Sequence, residues 1–220
     1  AVRKDRGGAA FNLFAPARAL ADACYLSTRS SCRTRMFPSH RPDGEENLAP
    51  RVAEELGRRV GRRVHSEELI AYVLAVLGSP AYRARHQVAL KLDYAHVPWP
   101  RDRQHFLQAV AIGRAFEAAL LDAPPSFEGA RASDVEEGLE LTTLSHCPRR
   151  EQVSTAGRTI LLGVSAAAFA ATVGHHSFVS GALRPGAGTL LALENALARA
   201  QAWHTLEARA DALLGVDAGV

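Results

Sequence analysis

The chain has 220 residues, enough for one large domain or two small ones with a real core. Apolar residues make up 47%, which excludes wholesale disorder. The formal net charge of +3 is a mild basic excess: it permits a nucleic-acid partner and does not require one.

Lys4 and Lys91 are the only lysines among the 26 basic residues. Arginine offers a planar fork suited to phosphate and guanine edges, although a G+C-rich genome also favours it and accounts for most of the bias. Cys24, Cys32 and Cys147 form no CxxC pair, and their odd count fits a reducing, cytoplasmic setting. The start, AVRKDRGG, has charge without an apolar core behind it, so no secretory leader is expected. The chain has no initiator Met, as expected of a processed protein or a piece of a longer one. The longest apolar run, Ile160 to Val173, is too short and too rich in small residues to span a bilayer.

In chain order, Ala1 to Ala10 reads as a flexible lead-in and Ala23 to Ser27 as a short strand. Pro42-Asp43-Gly44 signals a turn. Pro50 opens a helix whose Val52, Leu56 and Val60 form an apolar stripe, with Arg58, Arg59, Arg62 and Arg63 at its C-terminal end. A central helix follows, with Ser66 as N-cap, Glu67 and Glu68 in its first turn, and an apolar face of Leu69, Tyr72, Val73, Val76 and Leu77. Gly78 is read as its left-handed stop. Ser79 caps the next helix, with Pro80 at its first position. Ala95 to Pro100 must be extended, because each proline disfavours helix before it.

Asp102 caps a long helix over Arg103 to Leu121, with Phe106, Val110, Gly113 and Leu120 on one face and Leu107 and Phe116 beside it. Ala123 to Gly138 reads as a linker or surface loop, and Leu139 to Leu144 as a strand. Thr155-Ala156-Gly157 joins a hairpin. Ser165 to Val173 is a short helix, broken at Gly174-His175-His176. Arg184 to Gly188 is a turn, and Leu190 to Leu214 a long closing helix. The expected fold is α+β and helix-rich: a helical unit over 1–122, a linker over 123–138, and a smaller unit over 139–220 with a β hairpin and the closing helix.

No standard catalytic motif is present. The nine histidines show no ligand-like spacing with carboxylates, so no metal site is expected. His146 and Cys147 are adjacent, and adjacent residues on a strand point to opposite faces, so a resting Cys is expected rather than a Cys–His pair. There is no GxSxG, GxGxxG or Walker loop. What remains are arginine groups: Arg29, Arg33 and Arg35; Arg58, Arg59, Arg62 and Arg63; and Arg149, Arg150 and Arg158. Each could face phosphates, or be a solvated helix end or loop.

A longer pattern joins these parts. Tyr72, Ala75-Val76-Leu77, Ser79-Pro80 and Tyr82-Arg83 are followed by Leu90-Lys91-Leu92-Asp93, Val97-Pro98-Trp99-Pro100, Phe106 and Gly113. Met36-Phe37-Pro38 and Asn47-Leu48 precede them in the same layout. The string resembles the C-terminal specificity region of type ISP restriction–modification enzymes and related adenine-specific DNA methyltransferases, over residues 36–121. Gly163-Val164-Ser165, Phe169 and Val173-Gly174-His175-His176 echo a later family segment, although Arg184-Pro185-Gly186 stands where an aromatic, lysine-rich stretch would follow.

The resemblance implies a DNA target-recognition domain or subunit that works beside a catalytic methyltransferase. The Asn/Asp-Pro-Pro-Tyr motif of that catalytic part does not occur here, so the chain itself is expected to be non-catalytic and to hold no cofactor. S-adenosylmethionine would belong to the catalytic part, where the target base is flipped. Double-stranded DNA is the expected partner and no membrane is. From chemistry rather than resemblance, arginines would set register on phosphates, while Arg149, Arg150, Arg158, His175 and His176 would reach base edges. Three alternatives stay open: an interaction module docking a catalytic partner through the closing helix, a divergent relative that no longer binds DNA, and an enzyme with an unrecognised site.

Overall fold

The computed structural model describes residues 1–3, 10–27, 33–136, 139, 141, 143–183 and 188–215. Two short strands, β1 (Val2–Arg3) and β2 (Thr34–Arg35), pair antiparallel. Helices α1 (Pro50–Val60), α2 (Ser66–Gly78), α3 (Pro80–Arg85), α4 (Gln87–Leu92) and α5 (Arg103–Leu121) follow. Strands β3 (Ala130–Arg131), β4 (Leu144–Cys147), β5 (Gln152–Thr155) and β6 (Arg158–Leu162) form an antiparallel sheet in the order β3-β6-β5-β4. The chain continues through α6 (Ala166–Ala170), β7 (Thr172–Val173), β8 (His176–Ser177), α7 (Phe178–Ala182) and α8 (Leu190–Ala210), then a π-helical turn, Asp211–Gly215. The architecture is α+β and helix-rich, as the sequence predicts.

α2 and α5 are the centre of the helical part. α2 buries Ala71, Tyr72, Leu74, Ala75, Val76 and Leu77, so it is enclosed on more than the predicted face. α5 turns Phe106, Ala109, Val110, Ile112 and Phe116 inward. The two helices approach closely because glycines meet the partner surface. A methyl group on Gly113 would collide with the Ala71 carbonyl, and one on Gly78 would collide with the Phe116 ring. Gly78 therefore serves packing. It stays helical and does not take the left-handed stop conformation read from sequence.

Caps set the helix boundaries. Asp102 accepts the His105 N–H at 2.8 Å, and Ser79 accepts the Tyr82 N–H at 3.1 Å, both as expected. At α2 the cap lies one residue earlier than read. His65 is the N-cap residue, its N–H donates to Glu68 at 3.1 Å, and Ser66 is buried inside the first turn. The segment between α4 and α5 is in neither helix nor strand and is held by two buried tyrosines. Tyr72 donates to the Pro98 carbonyl at 3.0 Å and Tyr82 to that of His96 at 3.1 Å. Burial pushes the Tyr82 hydroxyl up to about 12, so it remains a donor.

Two apolar cores exist, and α8 serves both. Leu190, Leu193 and Leu197 enter a core with Val153, Ile160, Leu161, Val164 and Val179. Further along, Trp203, Leu206 and Ala210 enter the larger core of α1, α2 and α5. Trp203 meets Phe116 edge-on at 4.7 Å between ring centroids and lies 5.9 Å from Phe14. Polar groups fix the same docking. Arg199 donates to the carbonyls of Ala119, Leu120 and Asp122 at 2.7–2.9 Å, satisfying the open end of α5. Asp211 accepts from the Ala81 N–H at 2.9 Å and from the Ser79 hydroxyl, at the start of α3.

The sheet corrects three expectations. Part of the supposed linker is β3, which pairs with β6 and is tied to α8 by Arg131 and Glu194 at 2.6 Å. Of the strand read over 139–144, the described residues 139, 141 and 143 are not strand, 140 and 142 lie outside the described residues, and Leu144 is the first residue of β4. Residues 23–26 form a turn, not a strand, with the Ser27 N–H bonded to the Cys24 carbonyl. The β5–β6 hairpin is as predicted: Ala156 and Gly157 both have positive φ, at 47° and 79°, suiting a two-residue turn between twisted strands. The turn read over 184–188 falls mostly outside the described residues.

Candidate nucleic-acid interface

The four arginines at the end of α1 occupy the corner between α1 and α2, where Gly61 turns the chain at φ 73°. The corner also brings acids to them. Arg58 donates to Glu55 at 2.7 and 3.0 Å, and Arg59 reaches the same carboxylate. Arg62 grips Glu68 at 2.6 and 3.0 Å, and Arg63 lies 3.2 Å from Glu46, which also holds His65 at 2.6 Å. The hydrogen bonds from Arg58 and Arg59 hold the Glu55 carboxyl at about 2, and the bond from Arg62 does the same for Glu68. Glu46 is lowered too, first by its bond to His65. This cluster is a lattice of ion pairs with little free charge left over. Arg59 also lies over the Trp99 ring, 5.6 Å from its centroid.

Elsewhere the predicted residues separate. Arg33 and Arg35 are exposed at β2 and have no carboxylate partner among the described residues, while Arg29 lies outside those residues. Arg149 and Arg150 sit on the exposed turn between β4 and β5, also without an acidic partner among the described residues. Arg158 opens β6 opposite Thr155, the far end of β5, and is paired with Asp134 at 3.3 Å. The length of β5 puts it roughly 13 Å from the other two. His176 is exposed on β8. His175 stitches the fold: its N–H donates to the Leu26 carbonyl at 2.9 Å, and its Nδ1 lies 2.5 Å from the Ser27 hydroxyl. The close approach is possible because any methyl on Gly174 would meet the Leu26 carbonyl.

The sequence reading passed over the outward face of α5. Arg103, Gln104, Leu107, Gln108, Ala111 and Arg114 are all exposed. Leu107, read as a flank of the apolar face, belongs to this outer one. The signal was available, because these positions are the complement of the buried set in the same helical period. The segment that leads into α5 carries the exposed aromatics Trp99 and Tyr94, the latter packed edge-on against Phe37 at 5.5 Å. A groove of about 340 Å³ runs between α3, α6 and α8. Its most prominent charged groups satisfy each other: Arg83 donates to Glu207 at 2.7 Å and to the Leu77 carbonyl at 2.8 Å. Among the described residues no group of three or more His, Cys, Asp or Glu could hold a metal ion, and no helix is long and apolar enough to cross a membrane.

The described residues thus form a helix-rich α+β domain with arginines and amides on its surface. The chain belongs to the Type ISP C-terminal specificity domain family, which matches residues 2–180. The same fold occurs in the cryo-EM structure of the DrdV–DNA complex, at a TM-score of 0.54 and 18% identity over 78% of this chain and 20% of that one. Two other similar structures are a nuclease-deletion mutant of the Type ISP restriction–modification enzyme LlaGI in complex with a DNA substrate mimic and the ATP-dependent Type ISP enzyme LlaBIII bound to DNA. LlaGI aligns at a TM-score of 0.49 and 16% identity, over 67% of this chain and 14% of that one. LlaBIII aligns at 0.48 and 8%, over 77% and 12%. This chain therefore spans a fifth or less of each of these proteins. A search of curated proteins finds no significant match.

Proposed function

We propose that this chain is the DNA target-recognition unit of a restriction–modification enzyme of the adenine-methylating kind. The match to the specificity-domain family over residues 2–180 carries this reading. Arg33, Arg35, Arg149 and Arg150 are among the residues that supply phosphate contacts, since they are exposed and unmatched by acids among the described residues. Arg58, Arg59, Arg62 and Arg63 instead hold the α1–α2 corner together. Catalysis belongs to a partner domain or subunit that binds S-adenosylmethionine and receives the flipped base. The setting is the cytoplasm, where the DNA is.

The competing reading, docking of a catalytic partner through the closing helix, loses the surface it named. The apolar set of α8 is buried in the two cores. What still favours it is Val88 and Leu92 on α4, which are 73% and 63% exposed one turn apart.

The test is binding of the chain to random-sequence duplex DNA at 50 and 200 mM salt. Four phosphate contacts would weaken binding about a hundredfold over that range. No binding at the lower salt would remove stand-alone DNA recognition and favour the docking reading.

A further inference from the structure

Resting on the DNA-recognition reading, we infer that the outward face of α5 enters the major groove of duplex DNA and that Gln104 and Gln108 read bases there. At 3.6 residues per turn, Arg103 and Arg114 lie along one edge of this face. Gln104 and Gln108 lie along the other edge, with Leu107 and Ala111 between them. All six residues are exposed. None is acidic, and Arg103 and Arg114 have no carboxylate partner among the described residues.

That composition departs from the two helices that precede it at the α1–α2 corner. α1 exposes or half-exposes Glu54, Glu55, Arg58 and Arg59 together, and α2 opens with Glu67 and Glu68. Mixed signs suit a solvated face. A face with two cations, two amides and no anion suits a polyanion with hydrogen-bonding edges.

The chemistry matches a duplex at each position. A glutamine amide can donate to and accept from one adenine edge, at N7 and N6. Gln104 and Gln108 are one turn apart, about 6 Å along the axis, so they reach neighbouring or next-neighbouring base pairs. Leu107 and Ala111 offer the apolar contact that suits a thymine methyl group. Arg103 and Arg114 stand about 16 Å apart along the axis and reach phosphates on the rim of the groove.

The frame beneath the face is rigid, as base readout requires. Asp102 caps the helix start, Phe106 and Phe116 are fully buried under it, Gly113 is pressed on the Ala71 carbonyl, and Arg199 closes its end. Asp102 is the acid nearest the start of this face, and its side chain already accepts the His105 N–H. At the other end Glu117 and Asp122 are held by Arg18 at 3.4 and 2.7 Å.

The experiment is selection of bound duplexes from a randomised pool, followed by affinity and salt titration on the selected site. It compares the unaltered chain, Gln104→Ala with Gln108→Ala, and Arg103→Ala with Arg114→Ala. The glutamine pair is expected to relax preference at one to three adjacent base pairs, with a roughly tenfold to hundredfold loss on the selected site and an unchanged salt dependence. The arginine pair is expected to weaken binding to all sequences and to reduce the salt slope by about two. Circular dichroism melts confirm folding, since all four positions are exposed. If the unaltered chain selects a site and both variants select the same one with the same affinity, α5 is not in the groove. If the unaltered chain binds no duplex, the DNA reading fails and this inference fails with it.

Discussion

The α1–α2 corner carries four arginines, and the outer face of α5 carries two, yet the free positive charge is on α5. At the corner, Glu55, Glu68 and Glu46 lie within 3.2 Å of guanidinium groups. On α5 no exposed residue between 103 and 114 is acidic. Counting arginines in a sequence window therefore measures the wrong quantity. What a polyanion meets is charge left over after folding has paired what it can.

The sharpest way to break the comparison is to remove the frame under α5. Gly113→Ala puts a methyl group into the Ala71 backbone carbonyl, which cannot move like a side-chain tip. The expected cost is about 3 kcal/mol, with Tm falling by roughly 10 °C in a thermal melt. A Tm unchanged within 2–3 °C, or about 1 kcal/mol, would mean that α2 and α5 do not pack so closely.

Next in size is Glu68→Ala at the corner. It strips Arg62 of its partner and the His65 N–H of its acceptor, costing about 1–2 kcal/mol in denaturant unfolding. The pH sign follows from the lowered Glu68 carboxyl. With its folded value at about 2 against an ordinary 4.5, its contribution is fully present above pH 4.5 and is lost as pH falls toward 2. The unaltered chain should therefore lose more stability than the variant between pH 5 and 3, and parallel curves would show that the Arg62–Glu68 pair is not formed.

Binding separates the two kinds of arginine. Arg149→Ala and Arg150→Ala should each weaken duplex binding a few-fold and lower the salt slope by about one, leaving Tm in place. Arg62→Ala should do the reverse, lowering Tm with little effect on affinity. Identical behaviour of the two sets in a titration and a melt would remove the distinction drawn between paired and free arginines. The smallest expected effect is Gly57→Ala on α1. Its added methyl makes only ordinary contact with the Arg62 carbonyl at 3.4 Å, so stability should rise by about 0.5–1 kcal/mol, against the large loss at Gly113.

Much of the fold was legible along the chain. The caps at Ser79 and Asp102, the proline-started helices and the Ala156-Gly157 hairpin turn depend on bonds within a few residues. The family resemblance was legible too, in ordered side chains from Tyr72 to Gly113. The candidate site was less so. The exposure of Arg149 and Arg150 was legible because they stand on a turn, where exposure follows from local geometry. The exposed face of α5 is less conspicuous, because it is only the complement of the helix's apolar half. His175 was read as a base contact because nothing near it in sequence reveals Ser27 and Leu26, almost 150 residues away, as its partners.

By itself, the sequence determined where helices start, which faces are apolar, and to which family the chain belongs, since these rest on local bonds and side-chain order. Only the tertiary structure decided what each charge and each glycine is for. Gly78 and Gly113 look alike in a helical pattern, and Arg62 looks like Arg149. Their roles differ because of what lies across the packing interface: an aromatic ring, a carbonyl, a carboxylate or solvent. Those neighbours come from distant parts of the chain, and no short-range pattern encodes them.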